Sequence, residues 1–169
     1  MDTSLLTTKF YVPIVSPGLV TRTGLLERLQ DCVNYRLILV SAPAGFGKTT
    51  LLSEWIHQIQ PAIHIAWISL DEGDDDPRRF WDYFITAINN IEPAVGDTAL
   101  TLLRSGQQVS IENILNFLLN DLTSVSGDFV VTLDDFHFIQ SPAINKDLTY
   151  FLEHITPGIH LVISTRADP

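Results

Sequence analysis

Basic side chains are scarce in this sequence: 10 Lys and Arg stand against 20 Asp and Glu, a net charge of −10. A surface of that sign repels a phosphate backbone, so the chain is a poor partner for DNA in its own right. Cysteine is scarcer still. Cys32 is alone, which excludes an internal disulfide and a metal site built from cysteines. No apolar run approaches the roughly 18 residues of a membrane span. The start, "MDTSLLTTKFYVP", has no basic region leading into an apolar one, so no secretion signal is read there. Repeats and low-complexity segments are also lacking. What remains is a folded composition, 46% hydrophobic and 18% charged over 169 residues, enough for one domain with a sizeable core. The expected location is the cytoplasm, with no membrane partner.

The apolar residues that are present alternate between two periods. "RLILVSA" (36–42) reads as a short buried strand, and Leu51, Leu52, Trp55, Ile56 and Ile59 then mark a helix over about 48–59. "IHIAWISL" (63–70) is a second strand. Asp76 stands at an N-cap with Pro77 at the first helical position, followed by the apolar face Trp81, Phe84, Ile85 and Ile88. Residues 92–110 read as a connection with a short helical piece. Ser110 caps a helix striped by Ile111, Ile114, Leu115, Leu118, Leu119 and Leu122. "FVVTLDD" (129–135) is a third strand, Ile144 to Ile155 a further helix, and "IHLVIST" (159–165) a fourth strand. Strands alternating with helices call for a parallel sheet covered on both faces. "TRADP" follows the last strand with no closing helix, so a fragment of a longer protein is expected. The acidic run "DEGDDD" (71–76) reads as a solvated loop, and the three tryptophans read as core.

Chemistry concentrates in "SAPAGFGKTTLL" (41–52), a glycine loop between a strand and a helix. Gly45 and Gly47 permit torsions that turn successive N–H groups inward, and the helix dipole aims at the same point. Ala44 to Thr50 would cradle phosphates, with Lys48 reaching the β- and γ-phosphates and Thr49 ligating Mg²⁺. Ala42 replaces the usual first glycine at the strand exit, where a methyl group costs little if φ stays negative. Asp134 and Asp135 end an apolar strand, where ligands collect in parallel sheets. One could hold Mg²⁺ and the other orient water. Taken alone, they read equally well as turn or cap aspartates. Arg166 leaves the last strand beside them, placed to touch a γ-phosphate. His137 is either a sensor or a partly buried structural histidine.

Together "LLTTKFYVP", "LVTRTGLLERL", "LVSAPAGFGKTTLLSEW", "IAWISLDEGDDDPRRFWDYF", "VVTLDDFHFI" and "IHLVISTRADP" resemble the N-terminal ATPase region of the large ATP-binding LuxR-type regulators. These are STAND-class signalling NTPases of the maltose-activator kind. The resemblance runs from Leu5 to Pro169. It implies a three-layer αβα P-loop NTPase of the ASCE type, with the Asp-Asp strand not adjacent to the loop strand, cut off after the fourth, sensor-bearing strand. It implies ATP or ADP with Mg²⁺ as cofactors, Asp134 on the metal, Asp135 on the water and Arg166 as γ-phosphate sensor. It implies that residues 1–23 contribute to an adenine pocket, with Val20 and Arg22 in the segment Leu19 to Arg22. It also implies self-association in the ATP state, and DNA binding only through a domain outside this chain. Loop chemistry is shared by a regulatory switch and a turnover ATPase, and no acceptor site for a kinase is visible.

Overall fold

The computed structural model describes residues 5–15, 18, 20–59 and 62–166. The chain alternates as the periodicity predicts. Helix α1 (Thr23–Gln30) precedes strand β1 (Leu37–Ser41), and α2 (Lys48–Ile59) leads to β2 (His64–Ser69). Three helices follow: α3 (Pro77–Ile91), α4 (Asp97–Arg104) and α5 (Ile111–Leu122). Then come β3 (Phe129–Asp134), α6 (Pro142–His154) and β4 (Ile159–Thr165). The caps fall where the sequence places them. Asp76 accepts from Arg79 N at 2.9 Å ahead of Pro77, and Ser110 accepts from Asn113 N at 3.3 Å.

All strand pairs are parallel and the sheet order is β1-β4-β3-β2. β4 thus separates the loop-bearing β1 from β3, the strand that ends in the two aspartates. Alternate residues of β2, β3 and β4 feed two cores. Phe129, Val131, Leu133, Leu161 and Ile163 join α3, α4, α5 and α6 on one face. Val130, Val162, Ile65 and Trp67 pack against α1 and α2 on the other. The tryptophans are buried, as expected. The connection at 92–110 contains more helix than expected: Ala99, Leu100 and Leu103 bury one face of α4 against α3 and α5.

Two expectations are corrected. β1 is not a buried strand, because it lies at the sheet edge and leaves Leu37 and Leu39 about 40% exposed. The acidic run is not simply solvated. Asp74 is wholly buried, and Lys9 Nζ stands 2.5 Å from its Oδ2 while Arg79 Nε is 3.2 Å from its Oδ1. Lys9 also pairs with Asp71 at 2.7 Å and lies 4.8 Å from the Tyr83 ring centroid. This network fixes the 3₁₀ turn Thr7–Phe10 against β2. From there the N-terminal segment passes round the β2 edge: Leu5 and Phe10 pack on the larger core, Val12 on the smaller, and Pro13 O accepts from Ser53 Oγ of α2.

Candidate functional site

The glycine loop starts from a strand end tied to β4, where Ala42 N donates to Thr165 O at 3.3 Å. Gly45 (φ 81°) and Gly47 (φ 74°) take the left-handed torsions; Ala42 does not, so its methyl group carries no strain. A Cβ on Gly45 would meet nothing within 4 Å, so torsion rather than space demands glycine there. Ala44, Gly45 and Phe46 are exposed, Phe46 to 57%. Lys48 opens α2, which points the first N–H groups of the helix into the loop. Its side chain is buried and folds back on the loop base, donating to Ala42 O at 2.6 Å and Pro43 O at 3.1 Å. Thr50 is half-buried in the first turn of the helix.

The strand period brings the carboxylates to the same place. Val130 faces α2, so Thr132 and Asp134 face it too, as do Val162 and Ser164 on β4. Asp134 is buried, and its Oδ2 accepts from Thr49 Oγ1 at 2.7 Å. Burial pushes its carboxyl above the ordinary range, and the charge of Asp135 adds to that push. Hydrogen bonds from Ser164 and Thr49 oppose it. Asp135 follows in a left-handed turn (φ 58°, ψ 39°) with its side chain 39% exposed.

His137 is the neighbour of all these charges. Burial lowers its pKa, and Arg166 and Lys48 add to the effect, while Asp135 and Asp134 pull the other way. Both ring nitrogens are buried without a hydrogen bond, and Nδ1 stands 3.7 Å from Asp135 Oδ1. Arg166 is exposed one residue beyond β4. Lys48, Thr49, Asp134, Asp135, His137 and Arg166 therefore gather at the C-terminal ends of β1, β3 and β4, the rim where parallel sheets bind ligands.

Of the N-terminal segment, Arg22 reaches the loop with its side chain. Arg22 Nη1 donates to Phe46 O at 2.8 Å, tying the segment before α1 to the loop. Arg22, with Phe46 and Lys48, lines a cleft of about 560 Å³ that continues along the β1 edge past Leu39 and Leu37 to Tyr35. Val20 does not line it and is 88% exposed. Leu19 lies outside the described residues, as do Ala167, Asp168 and Pro169 of the final motif. Among the described residues no group of three or more His, Cys, Asp or Glu side chains forms a metal site. The oxygen pair of Thr49 and Asp134 suits Mg²⁺, which takes few protein ligands and completes its shell with phosphate and water. Sequence reasoning missed Ser164, which bonds Asp134 and the Asp135 amide. A lone serine in an apolar strand carries no periodic signal.

Fold and loop together define a P-loop ATPase fold. Cdc6p from Pyrobaculum aerophilum superposes with a TM-score of 0.62 at 16% identity, covering 97% of this chain and 44% of that one. The Aeropyrum pernix ORC1 protein gives 0.58 at 18% identity, covering 93% and 41%. No family model matches the chain. By sequence it is homologous to part of the HTH-type transcriptional regulator MalT. Identity is 33% over 165 residues with that of Cronobacter sakazakii, covering 98% of this chain and 18% of the relative. With that of Vibrio cholerae serotype O1 it is 31% over 150 residues, covering 89% and 16%. The chain thus spans less than a fifth of the length of these curated relatives. Among the described residues no helix is long and apolar enough to cross a membrane.

Proposed function

We propose that residues 1–169 form the nucleotide-binding domain of a larger transcription regulator, in which bound ATP or ADP sets the state of self-association. The observation that carries this reading is the bond of Thr49, beside Lys48 at the head of α2, to Asp134 at the end of a strand 85 residues further on. The N–H groups of Ala44 to Thr50 hold the phosphates, and the Lys48 ammonium exchanges the Ala42 and Pro43 carbonyls for phosphate oxygens. Thr49 and Asp134 hold Mg²⁺, which neutralises phosphate charge when bound. Asp135 orients the water for slow hydrolysis, and Arg166 contacts the γ-phosphate. The nucleoside lies toward the cleft beside Arg22. Because Arg22 bonds the loop itself, phosphate contacts are felt by the N-terminal segment, a two-state element of the kind that nucleotide switches use. The acidic net charge leaves DNA to another domain.

Calorimetry with Mg-ATP tests the site. Lys48→Ala is expected to abolish binding, and equal affinity in both proteins would remove the assignment. In the full-length protein, Asp135→Asn is expected to bind ATP and remain locked in the assembled state. Loss of ATP-dependent assembly in that variant would instead favour a turnover ATPase.

A further inference from the structure

Backbone pairing between β3 and β4 stops at Leu133 and Ile163. One residue further on, a side chain makes the connection. Ser164, wholly buried on β4, donates from Oγ to Asp134 Oδ1 and accepts from Asp135 N at 3.0 Å. A serine hydroxyl offers one proton and lone pairs, and both capacities are used here. Its first bond holds one oxygen of Asp134 while Thr49 holds the other, so the carboxylate plane is pinned between β4 and α2. The second bond takes up the amide that opens the left-handed turn at Asp135. Aspartate tolerates such torsions better than most non-glycine residues, and the Ser164 bond anchors the first amide of the turn.

We propose that Ser164 is the positioning residue of this site. Through one hydroxyl it sets the rotamer of the metal-binding carboxylate and the turn that aims Asp135 at the attacking water. The proposal rests on the nucleotide reading above, and it requires no contact between Ser164 and the nucleotide. Alanine at this position would leave Asp134 Oδ1 and the Asp135 amide without their partners. The carboxylate would then be free to turn away from Thr49, and the Asp135 turn free to relax. Threonine keeps the hydroxyl and suits a strand.

Wild type, Ser164→Ala, Ser164→Thr and Lys48→Ala are to be compared for ATP affinity, Mg²⁺ requirement and kcat, with hydrogen exchange of the Asp135 amide read by NMR without nucleotide. For Ser164→Ala we expect kcat to fall and the half-saturating Mg²⁺ to rise, each about tenfold or more. ATP KM should move less than about threefold, the Asp135 amide should lose protection, and Ser164→Thr should restore all of these toward wild type. Wild-type kcat and Mg²⁺ requirement in Ser164→Ala, with Lys48→Ala inactive, overturns the positioning role and leaves the nucleotide reading standing. ATP affinity and kcat falling together at unchanged Mg²⁺ requirement makes Ser164 merely structural, which also overturns it. A wild type that binds no Mg-ATP removes the nucleotide reading first, and this proposal with it.

Discussion

Thr49 Oγ1 and Asp134 Oδ2 meet at 2.7 Å, joining the first turn of α2 to the last residue of β3. Each is the residue expected to hold Mg²⁺, and each satisfies the other. The arrangement carries a tension, because the carboxylate is buried and its pKa is raised by desolvation.

That tension has a sign. A carboxyl whose pKa is higher in the folded state than its ordinary 3.8 binds its proton more tightly when folded, so its ionisation at neutral pH costs stability. Asp134→Asn removes the charge but offers one acceptor oxygen where Thr49 and Ser164 both donate, so one buried hydroxyl loses its acceptor. Without nucleotide, relief of the buried charge should outweigh that loss, so Tm should rise. The further rise in Tm on adding Mg-ATP should vanish. Thermal unfolding with and without Mg-ATP checks both, and a lower Tm without nucleotide would count against a strained carboxylate.

Lys9 and Asp74 make the second prediction. Lys9→Met leaves a wholly buried carboxylate with Arg79 as its remaining cation, and should cost about 3 kcal/mol in urea unfolding. The pH profile should change at both ends. The Lys9 hydrogen bond holds the Asp71 carboxyl below its ordinary 3.8, so that stability is present above this value and lost as pH falls through the lower folded one. Burial works to lower the Lys9 pKa, but bonds to Asp71 and Asp74 outweigh it and raise the value above 10.5. That contribution is full below 10.5 and lost as pH climbs through the folded value. Both limbs should be shallower in Lys9→Met, and a profile parallel to wild type would refute the pairing.

Gly96 supplies a contrast between space and torsion. It caps α4 at φ 86°, its amide donates to Asp121 Oδ2 at 2.9 Å, and an added Cβ would lie 2.6 Å from Ile85 Cγ2. Gly106 has a similar φ of 73° with nothing within 4 Å. Gly106→Ala should therefore cost about 1 kcal/mol from torsion alone, and Gly96→Ala about 2–3 kcal/mol because crowding is added. Nucleotide affinity should be unchanged in both. Equal losses in the two variants would mean that Ile85 yields freely.

Local features of the sequence translated directly into structure where the physics is local. The Asp76 and Ser110 caps, the Gly45 and Gly47 torsions and the start of α2 at Lys48 each depend on a few adjacent residues. The meeting of the loop with the aspartates followed from a general rule about strand ends. Other features were hidden because they depend on partners far along the chain. Lys9 and Asp74 are 65 residues apart, and an acidic run looks solvated until its counter-ions are known. The exposure of Leu37 and Leu39 follows from strand order, which an apolar run does not encode. Val20 enters the site only through family likeness and its backbone groups, which its apolar side chain, 88% exposed, does not signal.

The two cores lie on opposite faces of one sheet, and the side chains of the site hang from the smaller one. Helices α3, α4 and α5 sit behind that sheet, and α3 approaches the site through Phe80, whose ring packs against that of Phe136 beside Asp135. A substitution elsewhere on that side is consequently buffered: it adjusts how firmly the sheet is held while the geometry at its rim persists. A substitution along α2 or at the C-terminal end of β4 has no such insulation and acts on Thr49 or Asp134 directly.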